Sequence, residues 1–364
     1  MPIFARYAIV TLLPVLLIML GAVFGGIFAL LALVWLTLVA AGLDQVLPDV
    51  SAAPLEAHWA DRLSIILAVI HLLMVPVLVL SLDNQRLFLG ELFVLFLAIA
   101  SFIGQVSHPN AHNLIHRSDR PRRALGAAVY VSVLYGSHVS SHRLVHHAHV
   151  GTPQDPATPQ PGEDFWSYVA RAWPGNMVAG FAAETARLEK RGLTPYAPQN
   201  PYLIWIAGAL ATLVFVTALG GIAGLICFVA LACAVHLQIL MSDYIQHYGL
   251  QRLRLPGGRI EPVSAHHSWD APGGFSGLLM MAAPRHAEHH MNASRPFQAL
   301  GSDGTTAPAL LPYPMPIMAV LACLPSVWRR VMDHRALRVM EAAKAQLSLE
   351  DHAEPGDLRA ALTG

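Results

Sequence analysis

The chain has 364 residues, of which 55% are hydrophobic and only 13% charged, with a mean hydropathy of +0.49; soluble domains carry roughly 25% charged residues, so an ordinary soluble protein is excluded and a membrane protein is implied. Lys+Arg and Asp+Glu number 23 each, a formal charge of zero, which leaves no basic excess for binding nucleic acid. Cys227, Cys233 and Cys323 lie in apolar runs without CxxC spacing and suit neither a disulfide framework nor a thiolate-bound iron.

From Arg6 an apolar run reaches Leu43, interrupted at Gly25-Gly26. It is too long for one span of roughly 20 residues and reads as a hairpin with spans 8–24 and 26–43. Its apolar core is also longer than the roughly 7–15 residues of a cleaved signal peptide. A polar segment, 44–61, leads to a second hairpin with spans 62–82 and 87–107, joined by Asp83-Asn84-Gln85-Arg86. Residues 108–200 are polar apart from Ala124–Gly136, which is too short to span and suits an interfacial or re-entrant helix. The third apolar run splits at Gly220-Gly221 into spans 202–219 and 222–241. Beyond it, 242–300 is mostly polar, and the apolar stretch 307–324 carries Pro308, Pro312, Pro314 and Pro316, which make a poor helix. A tail, 325–364, closes the chain.

The predicted fold is therefore all-α and integral to the membrane: six transmembrane helices in three hairpins, forming one catalytic domain over 1–364. Each hairpin returns the chain to its starting side, so 108–200 and 242–364 share a face. That face holds Arg117, Arg120, Arg122, Arg123, Arg187, Lys190, Arg191, Arg329 and Arg330, and the positive-inside rule makes it the cytoplasmic face of the cell (inner) membrane.

Nineteen histidines are present, and most gather on this face. His112 and His116 are one helical turn apart beyond the fourth span, with His108 a turn earlier. His142, His146 and His147 form a second cluster flanked by His138 and His149. His247 follows the sixth span, and His286, His289 and His290 have i, i+3, i+4 spacing that places them on one helical face. Isolated histidines such as His58, His71, His236, His334 and His352 read as interfacial hydrogen-bonding residues. The clusters are different, because imidazole is the commonest transition-metal ligand and polar residues at a membrane face are costly unless used. The HxxxH, HxxxHH and HxxHH clusters together with His247 offer more ligands than one metal takes, so two metals are expected. Imidazole suits zinc, iron and copper alike, and ligand type does not choose among them.

These boxes resemble those of the membrane alkane hydroxylase (alkane 1-monooxygenase) family, within the membrane di-iron superfamily that includes the fatty acid desaturases. His112-Asn113-Leu114-Ile115-His116-Arg117 resembles HELxH(K/R), and His142 through Asp155-Pro156-Ala157 resembles HxxGHH with its following TPEDPA. Tyr244 to Leu250 resembles YxEHYGL, and Arg285 to Gln298 resembles RHxDHHxNxxRPYQ. Gly258-Arg259-Ile260-Glu261 and His267-Ser268-Trp269-Asp270 fall where the family has GRxE and HSWN.

The resemblance implies two Fe ions held by His112, His116, His142, His146, His147, His247, His286, His289 and His290. It also implies O2 as co-substrate, oxygen insertion into an unactivated C–H bond of an alkane or related alkyl chain at a terminal methyl, and a separate rubredoxin or ferredoxin with its reductase as electron donor. Arg117, Arg120, Arg122 and Arg123 are candidates for docking that donor. The chain departs from the family at Asn113, Ser141 and Gln246, each neutral where an acid is usual. Asn113, Gln246, Glu288 and Asp243 are the candidates to support the ligating imidazoles, with Glu288 the box acid that remains. A hydrophobic substrate entering from the bilayer needs a tunnel, for which Trp35, Phe93 and Phe96 are candidates. The alternatives are an acyl-lipid desaturase or lipid hydroxylase of the same superfamily and, more distantly, a membrane metal transporter. Transporters place ligands near the bilayer midplane, whereas these clusters lie outside the apolar runs.

Overall fold

A computed structural model describes residues 2–47, 55–255, 257–301 and 308–352; residues 48–54 of the polar 44–61 segment and 353–364 of the tail lie outside them. Helices α1 (Ile3–Phe24) and α2 (Phe28–Leu43) reverse at Gly25-Gly26. Helices α3 (Ala57–Ser81) and α4 (Leu89–Ile115) reverse at the Asp83–Arg86 turn. Asn84 Nδ2 donates to the Ala22 carbonyl oxygen (2.8 Å), and the Gly26 N–H donates to Glu91 Oε1 (2.5 Å), so these two turns are tied together at one end of the bundle.

Helix α5 is Arg120–Ser132, α6 covers 138–149, and α7 is Phe165–Glu189. The next helical stretch, α8 (Pro201–His247), has 47 residues. Straight, it would be about 70 Å long, more than twice the roughly 30 Å of a bilayer core. It breaks at Gly220 (φ −133°, ψ 15°) and Gly221 (φ 58°, ψ −154°), the second a left-handed conformation that glycine adopts without steric cost. The halves then fold back on one another. Trp205 in the first half packs against Gly136, and His236 in the second reaches the Val133 carbonyl at 2.7 Å, so residues 31 positions apart meet the same short segment. The Gly220 turn packs on Val79, at the end of α3 that also carries the Asp83–Arg86 turn. All three reversals thus lie at one end of the bundle, and the histidine boxes at the other.

Among the described residues, four helices are long and apolar enough to cross a membrane: α1, α3, α4 and the broken α8; α2 is apolar but shorter. Three further helices lie where the sequence reading placed none. Helix α7 lies in the polar 108–200 stretch; Asp164 caps its start, accepting from the N–H groups of Trp166 (3.0 Å) and Ser167 (3.1 Å). The proline-rich run forms α11 (Met315–Ala322) after α9 (Gly274–Leu279) and α10 (His286–Met291); Pro316 stands in the first turn, where its missing N–H would have no partner in any case. The tail begins as a 28-residue helix, α12 (Pro325–His352). Trp328, Met332 and Ala336 are buried, and the Trp328 ring lies 5.1 Å from that of Tyr244 and 5.3 Å from that of Tyr248. Two short strands, β1 (Trp269–Asp270) and β2 (Ala309–Leu310), pair in parallel beside the boxes.

Candidate metal centre

The nine histidines singled out in the sequence converge at the ends of α4, α6, α8 and α10. They form two groups in which one ligand atom from each residue lies within 4.8 Å of the others: His112, His116, His142, His147 and His289 in one, and His146, His247, His286 and His290 in the other. His108 belongs to neither; its Nδ1 meets the Tyr130 hydroxyl at 2.9 Å. His138 stacks on His142 with ring centroids 5.2 Å apart, and His149 is exposed.

Helix geometry explains the split, which differs from the one-face reading of each box. Within α6, Ser141–His146 is a π-helical turn closed by the His147 N–H to the His142 carbonyl. This wider turn brings residues five apart into register, so His142 and His147 share a group with Nε2 atoms 2.9 Å apart. His146, four residues on, points to the other group. In α10 the i, i+4 pair His286 and His290 faces one group, Nε2 to Nε2 3.0 Å, and His289 lies 3.1 Å from His147 in the other.

The donor set fits metal ions. Nε2 to Nε2 distances of 2.7 Å (His112 to His142), 2.9 Å (His142 to His147) and 2.9 Å (His247 to His286) approach the ~3.0 Å expected for two nitrogens at right angles on an ion with metal–nitrogen bonds of about 2.1 Å. A ring nitrogen carries one proton or one lone pair, so His142 Nε2 cannot complete hydrogen bonds to both neighbours, whereas a shared cation answers all of them. His116 Nε2 and His146 Nε2, one in each group, are buried with no hydrogen-bond partner among the described residues. Burial first, and repulsion from neighbouring imidazoles second, hold His116, His142, His147, His286, His289 and His290 well below the ordinary 6.5. They are therefore neutral at pH 7, the state a metal requires.

Carboxylates support this cluster from positions the sequence reading did not assign. Burial pushes His146 down, but Asp155 outweighs it and raises the imidazole: Asp155 Oδ2 sits 2.8 Å from His146 Nδ1. Asp155 is itself held by Thr158 Oγ1 (2.7 Å) and the Ala157 N–H (3.0 Å). His247 Nδ1 lies 3.2 Å from the His267 carbonyl oxygen, and the His267 ring in turn meets Glu261 Oε1 at 2.9 Å. Asp270 Oδ1 accepts the Ala287 N–H (2.8 Å) at the start of α10, and burial raises its carboxyl to about 6. Asp155, Glu261, His267 and Asp270 all stood within family-like motifs, and that was the available signal.

The expected supporting residues are mostly occupied elsewhere. Asn113 Oδ1 accepts the Phe297 N–H (3.2 Å), and Gln246 bridges Ser242 Oγ (2.8 Å) and the Ala283 carbonyl (2.9 Å). Glu288 pairs with Arg295 and accepts the Gly301 N–H, away from the imidazoles. Asp243 is the exception, with a carboxylate oxygen within 4.8 Å of ring nitrogens of His142 and His146. Of the tunnel candidates, Phe93 is 61% exposed and faces outward. Trp35 donates to the Val10 carbonyl (3.1 Å) and packs on Phe275, and Phe96 packs on the core. An apolar crevice of about 440 Å³ lies instead beside Leu36, Leu38, Gly104, Met241, Ile245 and Met315.

Comparison with known proteins agrees with this arrangement. The fatty acid desaturase family matches residues 87–318. Alkane 1-monooxygenase 1 of Pseudomonas aeruginosa is 30% identical over 259 residues, 71% of this chain and 67% of the relative. Alkane 1-monooxygenase 1 of Alcanivorax borkumensis is 32% identical over 259 residues, 70% of this chain and 62% of the relative. The xylene/toluene monooxygenase hydroxylase component XylM of Pseudomonas putida is 27% identical over 305 residues, 81% of this chain and 79% of the relative. The chain is an oxidoreductase that belongs to the fatty acid desaturase-like family of membrane enzymes, in the alkane 1-monooxygenase branch.

Proposed function

We propose that this enzyme is an O2-dependent di-iron monooxygenase that hydroxylates a terminal methyl of an alkane or related alkyl chain entering from the bilayer. The observation that carries the reading is the convergence of nine imidazoles into one group of five and one of four. Two iron ions held there would activate O2, one atom of which would enter the C–H bond while the other would leave as water with two protons and two electrons from the donor protein. The chain's own residues fix that chemistry in place. Asp155 and the His267 carbonyl oxygen orient His146 and His247, and Asp270 anchors the helix that carries His286, His289 and His290. Leu114, Ile115, Val145 and Ala287 are buried beside the boxes and keep bulk water from the centre.

The apolar crevice between α2, α4, α8 and α11 is the proposed substrate approach, with Ile245 at its edge less than one helical turn from His247. Six spans with the boxes on the cytoplasmic side of the inner membrane would present the arginines to a soluble rubredoxin or ferredoxin, itself served by a reductase. Arg117 and Arg122 are engaged by Asp61 at 3.2 Å and 2.8 Å. The proposed donor surface is therefore the cleft lined by Arg120, Arg123, Arg143 and Arg187.

The likeness to XylM runs along 81% of this chain and supports a second reading, oxidation of a methyl group on an aromatic ring. Whole cells expressing the chain with a rubredoxin or ferredoxin system, fed alkanes, methylarenes and fatty acids, separate these readings by mass spectrometry of the products. Terminal alcohols from alkanes are expected, and benzylic alcohols alone would favour the second reading. Unsaturated acyl lipids without any oxygenated hydrocarbon would overturn both in favour of a desaturase.

A further inference from the structure

Among the described residues, the buried carboxylates are almost all answered. Asp155, Glu184 and Glu261 each accept hydrogen bonds from side chains, and the Asp44 carboxylate accepts the N–H groups of Phe275 and Ser276 at the start of α9. Asp243 differs from them. It is 6% exposed and makes no hydrogen bond or ion pair with any described residue. A buried carboxyl with no partner stays ionised only at high cost unless a cation answers it. Two imidazoles, His142 and His146, have ring nitrogens within 4.8 Å of its carboxylate.

Those imidazoles belong to different groups, His142 to the five and His146 to the four. Asp243 also stands one helical turn before His247 on α8, hence on the face that His247 turns to the centre. We propose that Asp243 is a tenth, anionic donor of the centre, within reach of both histidine groups. This rests on the two-metal reading above and goes beyond it. Two divalent ions among nine neutral imidazoles carry a formal charge of plus four, and one carboxylate with two oxygens can address both ions while lowering that charge. A carboxylate added to imidazoles is a donor combination that non-haem iron sites use. No other box contributes a carboxylate to this position, since Asn113, Gln246 and Glu288 are turned elsewhere.

The test uses the purified full-length chain from iron-replete expression, with iron per chain, Fe²⁺ affinity under anaerobic conditions and the Mössbauer spectrum as readouts. Asp243→Asn keeps the shape and removes the charge; Asp243→Glu restores the charge at a longer reach; His112→Ala is the control for ligand loss. Circular dichroism shows whether each variant is folded. The expected result is two irons in the wild type, and in Asp243→Asn a fall toward one iron with affinity at least tenfold weaker and a changed spectrum, partly recovered in Asp243→Glu. Two irons, unchanged affinity and an unchanged spectrum in folded Asp243→Asn, with iron lost in His112→Ala, would overturn the role of Asp243 and leave the two-metal reading standing. Failure of the wild type itself to bind two irons would overturn the two-metal reading and this inference with it.

Discussion

Asp155 is the carboxylate in hydrogen-bond contact with a histidine of the four-membered group, through His146 Nδ1 at 2.8 Å. Removing the charge from such a partner typically lowers metal affinity or activity 10–100-fold, because the ring loses both its orientation and part of its basicity. Asp155→Asn is accordingly expected to weaken binding at the four-histidine group by that factor while the five-histidine group keeps its affinity, which a competitive Fe²⁺ titration resolves as two phases. Equal affinities in mutant and wild type would contradict the assignment. At this scale the convergence of the histidines was legible in the sequence and the carboxylates beside them were not. Histidines at helical spacing announce a shared target, but Asn113, Gln246 and Glu288 are each one residue from a ligand, and neighbours along an α-helix diverge by about 100°. A residue adjacent to a ligand in sequence therefore points away from the ring it was expected to hold. The carboxylates that do reach the centre come from a loop nine residues on, Asp155, and from the α8 turn preceding His247, Asp243.

At the scale of elements, two π-helical turns set the phase of the boxes: Ile103–Ser107 just before His108 and Ser141–His146 within the second box. Each wider turn rotates everything beyond it relative to a regular helix, and no composition or spacing rule marks where it falls. This is why the sequence paired His142 with His146 and the structure pairs His142 with His147. Glycines set how closely the elements pack. Gly249, two residues after His247, has φ +71°, and a Cβ built on it would lie 2.7 Å from Ala336 Cβ on α12. Gly249→Ala would thus meet a strained backbone and a steric clash together, and is expected to destabilise the protein by about 1–3 kcal/mol. Thermal unfolding of the detergent-solubilised protein checks this. A melting temperature equal to or above that of the wild type would show that α12 does not pack on the end of α8 as described.

For the molecule as a whole, the three reversals at Gly25-Gly26, Asp83–Arg86 and Gly220-Gly221 were legible because apolar length and glycine breaks are written directly in the sequence. The α12 helix was not legible as part of the core, because its polar composition hides a stripe of Trp328, Met332 and Ala336 that only Tyr244 and Tyr248 make meaningful. The result is a bundle with its turns at one end and four box-bearing helix ends at the other, closed by α12. Such an architecture gathers nine buried or partly buried imidazoles into two compact groups, the arrangement from which the metal reading is proposed. The most direct test is the metal content of the purified chain after iron-replete expression. Two irons per chain are expected, with His147→Ala and His290→Ala each lowering the count through a different group; less than one iron per chain in the wild type would contradict the account.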